Sequence, residues 1–358
     1  MAKSLLFLPD ISGYTKFIQT TEVEHSQHVI SELLEILIAA NTEDLKLAEI
    51  EGDALFFYKE GEIPSQERLL AQIEAMFTAF YSHLELLKKN RICPCQACAT
   101  APNLELKIIA HAGTLQHIEV QGNRKPFGQQ VIEAHRLMKN SVASNNYALI
   151  SRALALEIQL SQYYSSKLFR FRKGKDTYDD KELEYLYSNI DKDQLQLVQF
   201  TGIKEVKFDR PPDLALTKEF PLSAPDLMEY ITNYAFRNEW SKGVDRFEYK
   251  PTEVTRKGTE HICVIDGKHF NFTAVTKPAE DDQLVYGELT TDIPFTDKTY
   301  QFFVITPLTK GASSLKLELF WEVRSPLKKL LLVLIGKRSF QKNLSAAMHG
   351  LHGFVSGK

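Results

Sequence analysis

The first 58 residues constrain the fold most: a strand-length apolar run, a helical stretch and a two-strand hairpin follow one another, with an acid at each turn. The run Lys3 to Leu8 ends at Pro9-Asp10, and Ser12-Gly13 follows as a turn signal. From Tyr14 to about Ala40, Phe17, Val29, Ile30, Leu33, Leu34, Leu37 and Ile38 recur at helical spacing. Leu45 to Ile50 and Ala54 to Tyr58 are β-prone and flank Glu51-Gly52-Asp53, which predicts a tight hairpin. A chain that begins in this way is committed to a mixed α+β sheet rather than a helical bundle.

The pattern continues in kind. Gln66 to Lys89 predicts a second helix, Leu104 to Ala110 and Leu115 to Val120 a strand pair across His111-Ala112-Gly113, and Gln129 to Lys139 a third helix. The order β-α-β-β-α-β-β-α predicts a ferredoxin-like α+β domain. Arg170 to Asp193 is dense in charge and tyrosine and is expected to form an exposed insertion. Phe208-Asp-Arg-Pro-Pro-Asp213 reads as a linker, since consecutive prolines resist helix and central strand alike. The expected division is a first domain over 1–207, a linker over 208–213 and a second domain over 214–358.

In the second domain Ser223-Ala-Pro225-Asp226 predicts a capped helix start. Strand-like runs follow at Arg246 to Tyr249, His261 to Val264, Phe270 to Val275, Leu284 to Leu289, Thr299 to Thr306 and Ser314 to Val323, and a long helix from Pro326 to about Phe354 closes the chain. A curved antiparallel sheet can wrap such a helix around a cavity.

A formal net charge of -3 gives no general attraction to nucleic acid or anionic membranes, and no local basic patch changes that. The apolar run Leu330 to Ile335 falls far short of the ~20 residues of a membrane span. Four cysteines in 358 residues, three of them at Cys93, Cys95 and Cys98, are unlike a disulfide scaffold, so a reducing cytoplasm is expected.

The stretch Phe7-Leu-Pro-Asp10-Ile-Ser-Gly13-Tyr-Thr15 resembles the first signature of class III adenylate and guanylate cyclases, and Glu49-Ile-Glu-Gly52-Asp53 resembles the second. The resemblance implies that Asp10 and Asp53 bind two Mg²⁺ or Mn²⁺ ions that hold GTP or ATP, assisted by the backbone carbonyl of Ile11. Hard divalent ions prefer such oxygen ligands. Phe127-Gly128-Gln-Gln-Val131-Ile132-Glu-Ala134-His135-Arg136-Leu137 resembles the third signature, placing Arg136 at the position that neutralises developing phosphate charge. The family's ribose-contacting Asn is Ile132 here, a change that argues against efficient turnover. Base choice falls to Glu49, the guanine-type residue, and Lys125, whose ammonium can pair with Glu49 or meet a purine oxygen. Because the family's metal acids and its Arg come from opposite subunits, a homodimer is implied.

Cys93-Pro-Cys95-Gln-Ala-Cys98 lies outside these signatures and offers three thiolates to an ion such as Zn²⁺, with His83 or His111 as a fourth ligand; unmetallated thiols or a redox pair are the alternatives. His25 and His28, three apart on a helix, read as solvent or core residues. Phe220-Pro-Leu-Ser-Ala-Pro225-Asp-Leu, Trp240 with Gly243-Val and the closing helix resemble the START-like polyketide cyclase/dehydrase superfamily. That resemblance implies a helix-grip fold around an apolar cavity for a hydrophobic small molecule, with His261 and His269 near it. Three readings stay open: a nucleotide cyclase with a ligand-sensing domain, a nucleotide-binding pseudo-cyclase, and a START-like carrier whose first domain serves dimerisation alone.

Overall fold

The structure is a computed structural model and describes residues 2–200, 202–251 and 253–357. Two compact units emerge: one runs up to Leu86 and resumes over Thr100–Phe200, and the other comprises Leu87–Ala99 and the chain after Phe200.

In chain order the elements up to Phe200 are β1 (Ser4–Ser12), α1 (Tyr14–Thr20), α2 (Val23–Ala39), β2 (Lys46–Glu51), β3 (Ala54–Lys59), α3 (Gln66–Asn90), α4 (Gln96–Thr100), β4 (Glu105–Gly113), β5 (Gln116–Val120), β6 (Asn123–Phe127), α5 (Gln129–Leu137), β7 (Tyr147–Ser151), α6 (Arg152–Glu157), β8 (Arg172–Tyr178) and β9 (Lys181–Asn189). The main sheet of the first unit has the order β2-β3-β1-β4-β7-β9-β8. Only the β4–β7 pair is parallel; the other pairs are antiparallel. Strand β1 sits inside this sheet and is buried along its whole length. Because side chains alternate along a strand, Leu6, Leu8 and Asp10 share one face, the face on which α5 packs Ala134 and Leu137 against Phe56, Ile109 and Leu149. Asp10 therefore continues an apolar column and emerges where that column ends.

Two expectations change here. The second strand pair does not form across His111-Ala112-Gly113: β4 runs straight through to Gly113, and β5 pairs with β6 in a separate two-stranded sheet. Nor is Arg170 to Asp193 an exposed arm. Leu183 and Tyr185 alternate with exposed Glu182 and Glu184, and Tyr185, Leu186 and Ser188 are buried where β9 pairs with β7, so this hairpin completes the sheet.

The second unit is a seven-stranded antiparallel sheet of order β10-β16-β15-β14-β13-β12-β11. Its strands are β10 (Leu214–Phe220), β11 (Arg246–Glu248), β12 (Glu260–Ile265), β13 (Lys268–Val275), β14 (Leu284–Thr290), β15 (Lys298–Thr309) and β16 (Ala312–Glu322). Helices α7 (Ala224–Thr232) and α8 (Tyr234–Trp240) follow β10, and Ser223 caps α7 by accepting from the Asp226 N–H. After β16 come α9 (Pro326–Leu331), a π-helical stretch (Leu332–Gly336) and α10 (Lys337–Ser356). Leu344, Met348, Leu351 and Val355 of α10 pack with Phe220, Leu227, Ile231, Trp240 and Phe303 in one core. That packing needs a close approach at Gly350, where an added Cβ would meet the Trp240 carbonyl oxygen at 2.2 Å.

The expected linker is also part of this unit's structure. The Val206 N–H donates to the Thr276 carbonyl at 2.8 Å, and the Phe208 ring stacks on Phe320 with centroids 4.0 Å apart. Apolar side chains that precede the Pro-Pro pair are thus partly buried against the sheet rather than left in solvent. Strand β10, unforeseen beyond the prolines, pairs along β16 as the sheet edge. Among the described residues no helix is long and apolar enough to cross a membrane.

Candidate metal and nucleotide site

Asp53 reaches Asp10 because the β2–β3 turn is only two residues long. Glu51 and Ala54 are cross-strand partners, and Gly52 takes a left-handed φ of 68° that a residue with a side chain rarely adopts. Ala54 in turn faces Asp10 across β1, and the Ile11 N–H donates to the Asp53 carbonyl at 3.1 Å. The hairpin turn is thereby fastened to the end of β1, with two carboxylates on neighbouring segments.

Burial pushes the Asp53 carboxyl up, and the charge of Asp10 pushes it further, to about 6. Asp10 is also raised, by burial, although Lys107 opposes the shift. The Lys107 Nζ lies 3.2 Å from an Asp10 oxygen, on the strand directly opposite, since Asp10 and Lys107 are cross-strand partners. One ammonium beside the buried Asp10 and the partly buried Asp53 leaves the pair under-compensated.

The other residues of the three signatures gather on the same face of the sheet. Glu49 on β2 and Lys125 on β6 form an ion pair of 3.1 Å, both about half-exposed, so the ammonium takes the carboxylate as its partner. His135 of α5 lies 3.4 Å from Glu51 and meets Phe56 edge-on. Arg136 is held by Asp179 in the β8–β9 turn, not by its helix neighbour Glu133, which pairs with Lys181. Ile132, at the family's Asn position, is half-exposed on α5. Lys107 is the site residue that the sequence reading missed. Its signal was weak: a single Lys alternating with Leu106 and Ile108 on a strand whose register against β1 was unknown.

The histidines proposed beside the cysteines are engaged elsewhere. His83 Nε2 lies 2.8 Å from Glu32, and both ring nitrogens of His111 are used, by Ser151 Oγ and by Gln130 Oε1, each at 2.9 Å. His25 is buried in α2 and its ring stacks with that of His28. The cysteines themselves converge: the N–H of Cys95 donates to Cys93 Sγ at 3.4 Å and that of Cys98 to Cys95 Sγ at 3.3 Å.

In the second unit a cavity of about 510 Å³ is bounded by Trp240, Phe247, His261, Phe272, Leu319 and Leu344. His261 lines it as expected, whereas His269 stands in solvent 3.7 Å from Glu248. The wall is not wholly apolar, because Arg237 and Glu288 form a buried bidentate pair. Tyr286 donates to Glu288 at 2.8 Å, its hydroxyl meets that of Tyr234 at 2.9 Å, and the guanidinium lies over the Phe247 ring at 5.0 Å. Burial works against both charges, yet their mutual attraction wins, raising Arg237 and lowering Glu288. Burial, helped by the charge of Arg237, lowers His261 to about 4 against the opposing pull of Glu288.

Residues 30–147 match the model of a family described as a protein of unknown function (DUF2652). A curated relative, the uncharacterized protein Rv2561/Rv2562 of Mycobacterium tuberculosis (strain ATCC 25618 / H37Rv), is 33% identical over 126 residues, 35% of this chain and 58% of that protein. The chain thus spans less than two thirds of that relative's length. Among solved structures, the dimeric guanylyl cyclase domain of the RhoGC fusion protein from the aquatic fungus Blastocladiella emersonii is 13% identical, covering 52% of this chain and 96% of that one with a TM-score of 0.37. The adenylyl cyclase CyaB from P. aeruginosa is 18% identical, covering 53% and 94%, also with a TM-score of 0.37. The chain is therefore similar in part to a family without an assigned activity, and its structural neighbours include class III adenylyl and guanylyl cyclase domains.

Proposed function

We propose that the first unit binds a nucleoside triphosphate as its divalent-metal complex, at Asp10 and Asp53. The observation that carries this reading is the fastening of two carboxylates on neighbouring segments with one ammonium against Asp10, where burial and then the charge of Asp10 lift Asp53 to about 6. Like charges brought together at a turn are costly to the fold alone, and a divalent cation removes the cost. The donor set fits Mg²⁺ or Mn²⁺: two carboxylates and the nearby Ile11 backbone are hard oxygen ligands, with no thiol or imidazole among them. When bound, the ions supply charge stabilisation to a triphosphate and to the oxygens that exchange at its α-phosphorus.

The chain's own residues do the rest. Glu49 and Lys125 present a paired carboxylate and ammonium to the base, which suits guanine slightly better than adenine because a carboxylate can accept from guanine's ring N–H and amino group. Arg136 is the phosphate-facing cation of a second copy in a homodimer. Its present partner, Asp179, and the apolar Ile132 favour binding with weak or absent cyclisation. The second unit is a START-like sensor, and its cavity takes a small hydrophobic molecule.

The test is purified protein with Mn²⁺ and GTP or ATP, with bound nucleotide measured by equilibrium dialysis and products by chromatography, alongside Asp53→Ala. Metal-dependent binding that the variant loses is the expected result, and cyclic product lost with it assigns turnover as well. Nucleotide retention equal in both proteins, or none in either, overturns the reading.

A further inference from the structure

Cys93, Cys95 and Cys98 form a cluster that nucleotide chemistry does not use. Their Sγ atoms lie within 4.8 Å of one another. No disulfide joins them, and Cys93 and Cys98 are buried. A tetrahedral ion with metal–sulfur bonds of ~2.3 Å sets its sulfurs about 3.8 Å apart. The thiols therefore lie close enough together for one ion to engage all three with a small adjustment.

Local backbone explains how so short a segment gathers them. Cys93 and Cys95 flank Pro94, which fixes its own φ, and Cys95 immediately precedes α4, whose first turn carries Cys98 back toward it. The backbone amides of Cys95 and Cys98 both point at sulfur, at 3.4 and 3.3 Å. Amide donors of this kind orient a metal-bound thiolate and drain its charge, the outer-shell support that thiolate ligands need. A disulfide would use two of these sulfurs and strand the third, whereas one ion uses all three. The remaining cysteine, Cys263, lies in β12 within a cluster of Tyr234 and Phe247, so the ion's fourth donor is nitrogen or oxygen.

We propose that Cys93, Cys95 and Cys98 bind a single structural Zn²⁺-class ion as a three-thiolate site completed by one nitrogen or oxygen donor. Three soft ligands select such an ion over Mg²⁺ or Mn²⁺, so the site is chemically separate from the Asp10–Asp53 pair. Its role is to hold the stretch between α3 and β4, where regular structure is sparse, because structural metal binding is itself folding free energy.

The experiment uses the full chain purified under reducing conditions. Metal analysis should find one zinc per chain, unchanged in Asp53→Ala. Cobalt exchange should give a thiolate-to-cobalt charge-transfer band with ligand-field bands of the three-thiolate type. Each of Cys93→Ser, Cys95→Ser and Cys98→Ser should lower the charge-transfer intensity by about a third, in proportion to the thiolates lost. Should those variants fail to fold, alkylation of the wild-type chain decides: the three thiols should be protected until a strong chelator is added. A reduced chain that carries no zinc and gives no cobalt band, thiols alkylated equally with and without chelator, or a four-thiolate spectrum would each overturn the proposal.

Discussion

Both units bury charge, and they do so in opposite ways. In the first, Asp10 and Asp53 are like charges brought together at a turn, with Lys107 as a single counter-ion. In the second, Arg237 and Glu288 are opposite charges in two-point contact, with Tyr286 completing the hydrogen bonding. The second arrangement is closed: the charges answer one another and the fold holds them in place. The first is open, because Lys107 lies against Asp10 alone and the two carboxylates still raise one another's charge cost. Buried charge alone therefore marks no function; the sign of its neighbours tells a strut from a socket.

Breaking the strut should have the largest effect. Removing one partner leaves the other buried and unpaired, so Arg237→Met or Glu288→Gln should destabilise the second unit by about 3 to 5 kcal/mol in denaturant unfolding, while the double apolar replacement should recover most of that loss. A result in which each single variant costs no more than the double would show that the pair is not coupled.

Acidification separates the units next. His261 is held neutral, with its pKa lowered to about 4. A depressed cation pKa gives stability that is complete above the unfolded value near 6.5 and is lost as pH falls toward 4, by about 3 kcal/mol. His261→Phe should flatten that part of the stability profile of the second unit. Asp53 has the opposite sign: its raised pKa gives stability that is complete below about 4 and is lost as pH rises through about 6. Asp53→Asn should therefore stabilise the metal-free protein at pH 7, by about 1 kcal/mol after allowance for solvent screening at a half-buried group. A destabilised Asp53→Asn would mean that the two carboxylates are structural after all. Smallest of all, Lys125→Ala should change stability by less than about 1 kcal/mol, since the Glu49–Lys125 pair is exposed, but should shift the preference between GTP and ATP.

Local patterns made much of this legible. Asp53 was readable because the turn that carries it is short and written around Gly52, whereas Asp10, expected at the end of the first strand, lies within β1; the Glu49–Lys125 pairing was one of two alternatives that the resemblance left open for Lys125. What escaped depended on register over long separations. Lys107 faces Asp10 only because β4 pairs with β1 without a bulge, and Glu288 meets Arg237 across 51 residues. The β8–β9 hairpin was misjudged on charge density, although Leu183 and Tyr185 alternate with Glu182 and Glu184 as a half-buried strand requires. Segment 208–213 was read as a linker on its prolines, yet its first residue Phe208, with the preceding Val206, supplies apolar surface that docks on the sheet.

The open pair is tested most directly by calorimetric titration of Mn²⁺ with GTP into the wild-type chain and into Asp53→Asn, from about pH 5 to 8. Protons compete with the metal for Asp53, so the account predicts an affinity steady above about pH 6 that weakens by up to about tenfold per unit below it, and no metal-dependent binding to the variant. Equal affinity in both proteins, or wild-type binding that survives removal of the metal, would contradict it.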